Sequence, residues 1–197
     1  MSVRQAIRLT TLATIVSFVL SFISVIVVSR LLSPEEIGIF SVAVSVIAYT
    51  HILREFGVGQ YFVQLKELSR EHLRTGFTVM LMISWSIALG LFTLRTPLAE
   101  FYRHDGLASV FAALTVNFII LPFGSPILSM LKREMRFDRL AIVGIASSVV
   151  QVSVTIGTAM AGESYMSMAW GSIAGNITNV ILLSAMRPDI ALLMPSA

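Results

Sequence analysis

The sequence predicts an all-α membrane protein, a polytopic bundle of six transmembrane helices. Three observations carry that prediction. Only 25 of the 197 residues are formally charged (14 Lys plus Arg, 11 Asp plus Glu), which is about half the usual share for a soluble domain. Hydrophobic residues make up 56% of the chain, and the mean hydropathy is +0.85. The few charges are also kept out of long windows. A helix rises about 1.5 Å per residue, so roughly 20 residues cross a hydrocarbon core of about 30 Å.

The windows come in order. Leu9 to Ser29 is 21 residues without a charge. The basic stretch MSVRQAIR before it resembles the start of a signal peptide. Its apolar part is too long for one, however, and Arg30 interrupts where a cleavage site would stand, so a retained span is expected. The second span runs from Ile37 to Phe56, with His51, Arg54 and Glu55 confined to its end, where an arginine can snorkel to the interface. Gly76 to Leu94 (19 residues), Gly106 to Leu131 (26), Leu140 to Gly162 (23) and Ser164 to Met186 (23) complete the set. The predicted spans are about 9–29, 37–56, 76–94, 107–130, 140–162 and 165–186, within a membrane unit of residues 1–187. Residues 188–197 are expected to be a cytoplasmic tail or a truncated linker.

Six spans put both termini on one side, and basic residues collect in cytoplasmic loops. With the termini inside, eleven Lys and Arg lie inside (Arg4, Arg8, Arg54, Lys66, Arg70, Arg74, Lys132, Arg133, Arg136, Arg139, Arg187) and three outside (Arg30, Arg95, Arg103). Acids divide six to five. A wrong span count would invert everything downstream of the error. The expectation is a multi-pass protein of the cell (inner or plasma) membrane with both termini cytoplasmic. The pI of about 9.7 accordingly marks topology. A net charge of +3 with no long basic run gives no footprint for nucleic acid.

Several functions are excluded or unsupported. There is no cysteine, so disulfides, thiolate metal sites and cysteine nucleophiles are absent. No Walker loop, dinucleotide glycine fingerprint or HExxH is present. His51, His72 and His104 are scattered, so neither a metal nor a cofactor is expected, and the chain is not read as an enzyme.

Small polar residues inside the spans are ordered. Thr10, Thr14, Ser17, Ser21 and Ser24 step by 4, 3, 4 and 3 and therefore share a helix face. Ser148, Gln151, Thr155, Thr158 and Gly162 do the same on the fifth span. Ser172, Asn176 and Asn179 do so on the sixth, beside a Gly171–Gly175 pair. Such faces either let helices approach closely and bond across, or line a water-filled cavity. Amides such as Asn117 need a partner helix or water. Pro122 and Pro126, with Gly124 between them, predict a kink or break in the fourth span. His51 and Glu55, four apart, can pair and carry a proton, and Arg54 can attract a phosphate or acidic sugar. Equally, the three form the polar end of the second span. KELSREHLR, from Lys66 to Arg74, reads as an amphipathic interfacial helix.

Two patterns point to a family. Arg30, Leu31, Leu32, Pro34, Glu36 and Gly38 form the first, and Glu55, Phe56, Gly57, Gly59, Val63 and Gln64 the second. With the basic stretch LKREMRFDRLA (Leu131 to Ala141), they resemble, in order and spacing, the Wzx-like oligosaccharide flippases of the polysaccharide transporter family. That family shares a superfamily with the MATE exporters and the lipid II flippases. The resemblance covers about Val28 to Arg187 and implies one lobe of a two-lobe fold around a central cavity. It implies transport of a polyprenyl-diphosphate-linked oligosaccharide by alternating access for cell-surface polysaccharide synthesis. Thr14, Ser17, Ser21, Ser24, Arg54 and Asn117 become candidate substrate contacts, and His51 and Glu55 a candidate proton or charge pair.

Family members carry twelve to fourteen spans, so the implied partner is a C-terminal lobe or a second copy of the chain, along with the bilayer. Two alternatives stand beside this reading: a cation-coupled exporter of the sister family, and a non-transporting scaffold. The exporter is disfavoured because the five clean windows hold no Asp or Glu.

Overall fold

The computed structural model describes the backbone of residues 3–55 and 70–187, and the side chains of 8, 10–50 and 74–187. It is all-helical among the described residues: α1 (Val3–Leu31), α2 (Pro34–Glu55), α3 (Arg70–Phe101), α4 (Gly106–Arg133), α5 (Phe137–Met160) and α6 (Met166–Met186). Five of them (all but α2) are long and apolar enough among the described residues to cross a membrane. α2, with 22 residues, is about 33 Å long.

Each predicted span overlaps one helix; α1, α3 and α4 run past theirs at both ends, whereas α6 does not. α3 has 32 residues where the uncharged window has 19. Apolar runs report the hydrocarbon thickness, whereas backbone hydrogen bonding continues through the polar interface. The interfacial helix expected from Lys66 to Arg74 is different in its described part, because Arg70 to Arg74 is the first turn of α3 itself; Lys66 to Ser69 lie outside the described residues. Of the kink or break predicted at Pro122 and Pro126, the break does not occur: α4 is continuous through both. Both prolines are buried there, and Gly124 sits against Val180 and Leu183 of α6, so packing holds the backbone helical.

The helices form a row in which α1 packs on α5, α5 on α6, α6 on α4 and α4 on α3, while α2 leans on α4, α3 and α6. α4 is central, with Val110, Phe111, Phe118, Ile127 and Leu131 fully enclosed. α1 is the other extreme: Leu12, Ile15, Phe18 and Phe22 are exposed, as a lipid-facing helix requires.

Three helix ends close alike. Arg103, Met135 and Gly162 adopt positive φ (55°, 54° and 90°). The following amides then reach back: His104 N to Ala99 O at 3.0 Å, Arg136 N to Leu131 O at 2.9 Å, and Glu163 N to Thr158 O at 3.0 Å. This is the Schellman closure, which satisfies carbonyls left over at a helix end.

A candidate transport groove

Two hollows run along α1 and meet at Ser21. The first, about 500 Å³, lies between α1 and the start of α5; Thr10, Thr14 and Ser17 line it, and Lys132 and Phe137 stand at its margin. The second, about 260 Å³, is enclosed by α1, α2, α5 and α6, and Ser24, Ser148, Gln151 and Thr155 line it. The α1 stripe and the α5 stripe therefore face one another across one groove. An interhelical bond ties them, Ser148 Oγ donating to Ser17 Oγ at 3.2 Å.

The groove's hydroxyls fall into two groups. Thr14 donates to Thr10 O at 2.9 Å and Thr155 to Gln151 O at 2.9 Å, so their protons are held by their own helices. Their oxygens can still accept. Ser21 and Ser24 line the groove and spend no hydrogen bond inside the protein among the described residues. Among the described residues no carboxylate lines either hollow.

One end of the groove is closed. Val28 and Leu32 of α1 and its turn pack with Ala159, Ile37 and Met168. Just beyond, Ser33 and Glu36 cap α2 reciprocally: Ser33 N donates to Glu36 Oε2 at 2.6 Å, and Glu36 N to Ser33 Oγ at 3.3 Å. Pro34, which lacks an N–H, takes the first helical position between them. The other carboxylate oxygen of Glu36 accepts from the Ser164 hydroxyl in the α5–α6 turn. These bonds, that from Ser164 first, hold the Glu36 carboxyl below the ordinary glutamate range. Glu35 adds an exposed contact at 3.7 Å to His104 in the α3–α4 turn. The Arg30–Gly38 pattern is thus, in its Ser33–Glu36 portion, a helix start pinned to two other turns. The Ser-x-x-Glu spacing before an apolar run is the sequence signal for it.

The predicted site residues are distributed unevenly. Thr14, Ser17, Ser21 and Ser24 all line the groove. Asn117 does not: it is buried between α4 and α6, its Nδ2 donating to Ser172 Oγ at 3.0 Å. The backbone of His51, Arg54 and Glu55 forms the last turn of α2, while their side chains lie outside the described residues, as does the Gly57–Gln64 pattern.

The α5 face serves both roles that its spacing allows. It lines the groove and also receives α6, because a Cβ on Gly171 would stand 1.8 Å from Thr155 Oγ1 and one on Gly175 2.9 Å from Gln151 Cβ. Lys132 and Phe137, which reach the groove from the end of α4 and the start of α5, were legible in sequence only as members of a basic loop.

At the opposite end of the bundle from Glu36, Arg187 pairs with Glu134, and Arg139 Nη1 donates to Met186 O at 3.2 Å. Lys132 belongs to that same end, at the foot of α4.

Comparison with known proteins is consistent with this architecture. The family described as "Polysaccharide biosynthesis protein" matches residues 27–193. The chain is 20% identical over 168 residues to the lipopolysaccharide biosynthesis protein WzxC of Escherichia coli (strain K12), covering 85% of this chain and 33% of that protein. It is 26% identical over 152 residues to the succinoglycan biosynthesis transport protein ExoT of Rhizobium meliloti (strain 1021), covering 77% and 31%. A third relative, the teichuronic acid biosynthesis protein TuaB of Bacillus subtilis (strain 168), is 24% identical over 102 residues, 52% of this chain and 21% of its own. The chain thus spans about a third of the length of the first two. No solved structure matches it significantly. With the family match covering most of its length, this helical membrane chain belongs to the polysaccharide biosynthesis protein family.

Proposed function

We propose that the chain is a lobe of a membrane flippase that carries a polyprenyl-diphosphate-linked oligosaccharide across the bilayer by alternating access. The observation that carries this reading is the groove, in which hydroxyl stripes from α1 and α5 face each other and, among the described residues, no carboxylate intervenes. A sugar presents many hydroxyl donors and acceptors. Thr14 and Thr155 offer acceptor oxygens with their protons already held, while Ser21 and Ser24 can both donate and accept. Such a surface binds a saccharide through many weak bonds without selecting a charge, whereas a cation exporter would favour a carboxylate in the groove.

The basic-residue split supports a cytoplasmic location for the Lys132 end and both termini. In that orientation the groove is closed on the outer side by the Val28–Leu32 cluster and the Glu36 clamp. The lobe would then load from inside. The saccharide is enclosed by a second six-helix unit, supplied by a further lobe or by a second copy in parallel.

The test is translocation. Proteoliposomes holding the protein and a labelled undecaprenyl-diphosphate saccharide in one leaflet should expose the label to an impermeant reagent on the other side. Label that stays in its original leaflet, with the protein present alone or with its full-length partner, defeats the proposal. Export of an organic cation instead would favour the sister-family activity.

A further inference from the structure

At the other end of the helix row from α1, the packed pair α3–α4 carries an apolar groove of about 420 Å³. Trp85, Leu89 and Phe92 of α3 form one wall, and Thr115 and Ile119 of α4 form the other. The hydroxyl of Thr115 is already spent on Phe111 O at 2.8 Å, so this wall offers hydrocarbon no free donor. Among the described residues none of those lining the groove is charged, and Arg95 follows the wall residue Phe92 by three positions. The Arg95 guanidinium sits 4.0 Å from the centroid of the Phe92 ring, and no carboxylate pairs with it among the described residues.

Length decides between occupants. The ten steps from Trp85 to Arg95 rise about 15 Å at about 1.5 Å each. That is half of a hydrocarbon core of about 30 Å, or one leaflet. A helix from another protein would need an apolar face running the full thickness. An acyl chain anchored by a phosphate at one interface needs only half.

We propose that this groove holds one acyl chain of an anionic glycerophospholipid, with its phosphate at Arg95. The site is separate from the transport groove and stands whether or not the chain moves saccharides. It ties the lobe to the lipid composition of the leaflet at the Arg95 end.

Native mass spectrometry of the full chain in gentle detergent tests this, with phosphatidylglycerol and phosphatidylcholine of matched acyl chains as probes. The wild type should retain phosphatidylglycerol about fivefold better, the worth of one basic residue against an anionic lipid. Arg95→Gln should abolish that preference and Arg95→Lys keep most of it, while Ile119→Trp, which fills the groove, should lower retention of both lipids. Equal retention of the two lipids by the wild type overturns the proposal without any variant. A preference that survives Arg95→Gln, or retention unchanged by Ile119→Trp, also overturns it. So does a dimer that Ile119→Trp converts to monomer, since the groove would then be a contact between copies.

Discussion

Replacing Gly171 with alanine tests the packing that builds the groove's back wall. A methyl at this position would stand 1.8 Å from Thr155 Oγ1, 2.8 Å from Gln151 O and 3.0 Å from Thr155 Cβ. The hydroxyl could turn away, but the backbone oxygen of Gln151 and the Cβ of Thr155 cannot without moving α5 away from α6. Overpacking of this kind costs about 1–3 kcal/mol, and the rigid neighbours put Gly171→Ala near the upper end. Alanine returns about 1 kcal/mol through its better helix propensity, leaving a net loss of about 2 kcal/mol. For a chain of this size that is a fall in Tm of about 4–8 °C. Thermal denaturation in detergent, followed by the loss of the monodisperse chromatographic peak, would measure it. Thr155→Ala in the same chain removes the shortest contact and should recover part of the loss. Gly157→Ala is the control, because nothing lies within 4 Å of its Cβ position, and it should be neutral or slightly stabilising. An unchanged or raised Tm for Gly171→Ala, or a double variant no better than the single one, would refute the close-approach argument.

Four further outcomes follow from the same structure. Ser33→Ala removes the α2 cap and should cost about 1 kcal/mol by thermal denaturation. Because Glu36 titrates below its ordinary value of 4.5 in the folded state, its contribution is complete above that pH. It is lost as the pH falls through the depressed folded value, so Tm should drop more steeply below pH 4.5 in the wild type than in Glu36→Gln. Met135→Gly relieves a left-handed backbone on an exposed residue and should raise stability by about 1 kcal/mol, read as a higher Tm. Ser21→Leu puts a branched apolar chain where the two hollows meet. It should lower translocation of the saccharide severalfold while leaving the folding stability within about 0.5 kcal/mol of the wild type, as exposed substitutions do.

Part of this molecule follows from the chain alone. The number and order of helices come from charge exclusion, since each charge buried in hydrocarbon is expensive and each backbone polar group there must be bonded within its own helix. The α1 stripe was equally readable, because a step of 3 and 4 residues defines a face whatever its neighbours are. Periodicity cannot say which other helix that face meets. That Ser17 meets Ser148, that Thr155 both lines the groove and receives Gly171, and that Asn117 turns to Ser172 instead depend on contacts between residues up to 131 positions apart. Pro122 and Pro126 mark the same limit: local chemistry predicted a kink or break, and with both prolines buried α4 runs through them unbroken. The sequence by itself determined the order of the apolar helices, five of them long enough to span a membrane among the described residues, and a hydroxyl face. The tertiary structure decided where that face becomes a groove and which end of it is shut, because shape complementarity between helices is a property of pairs and not of any one segment.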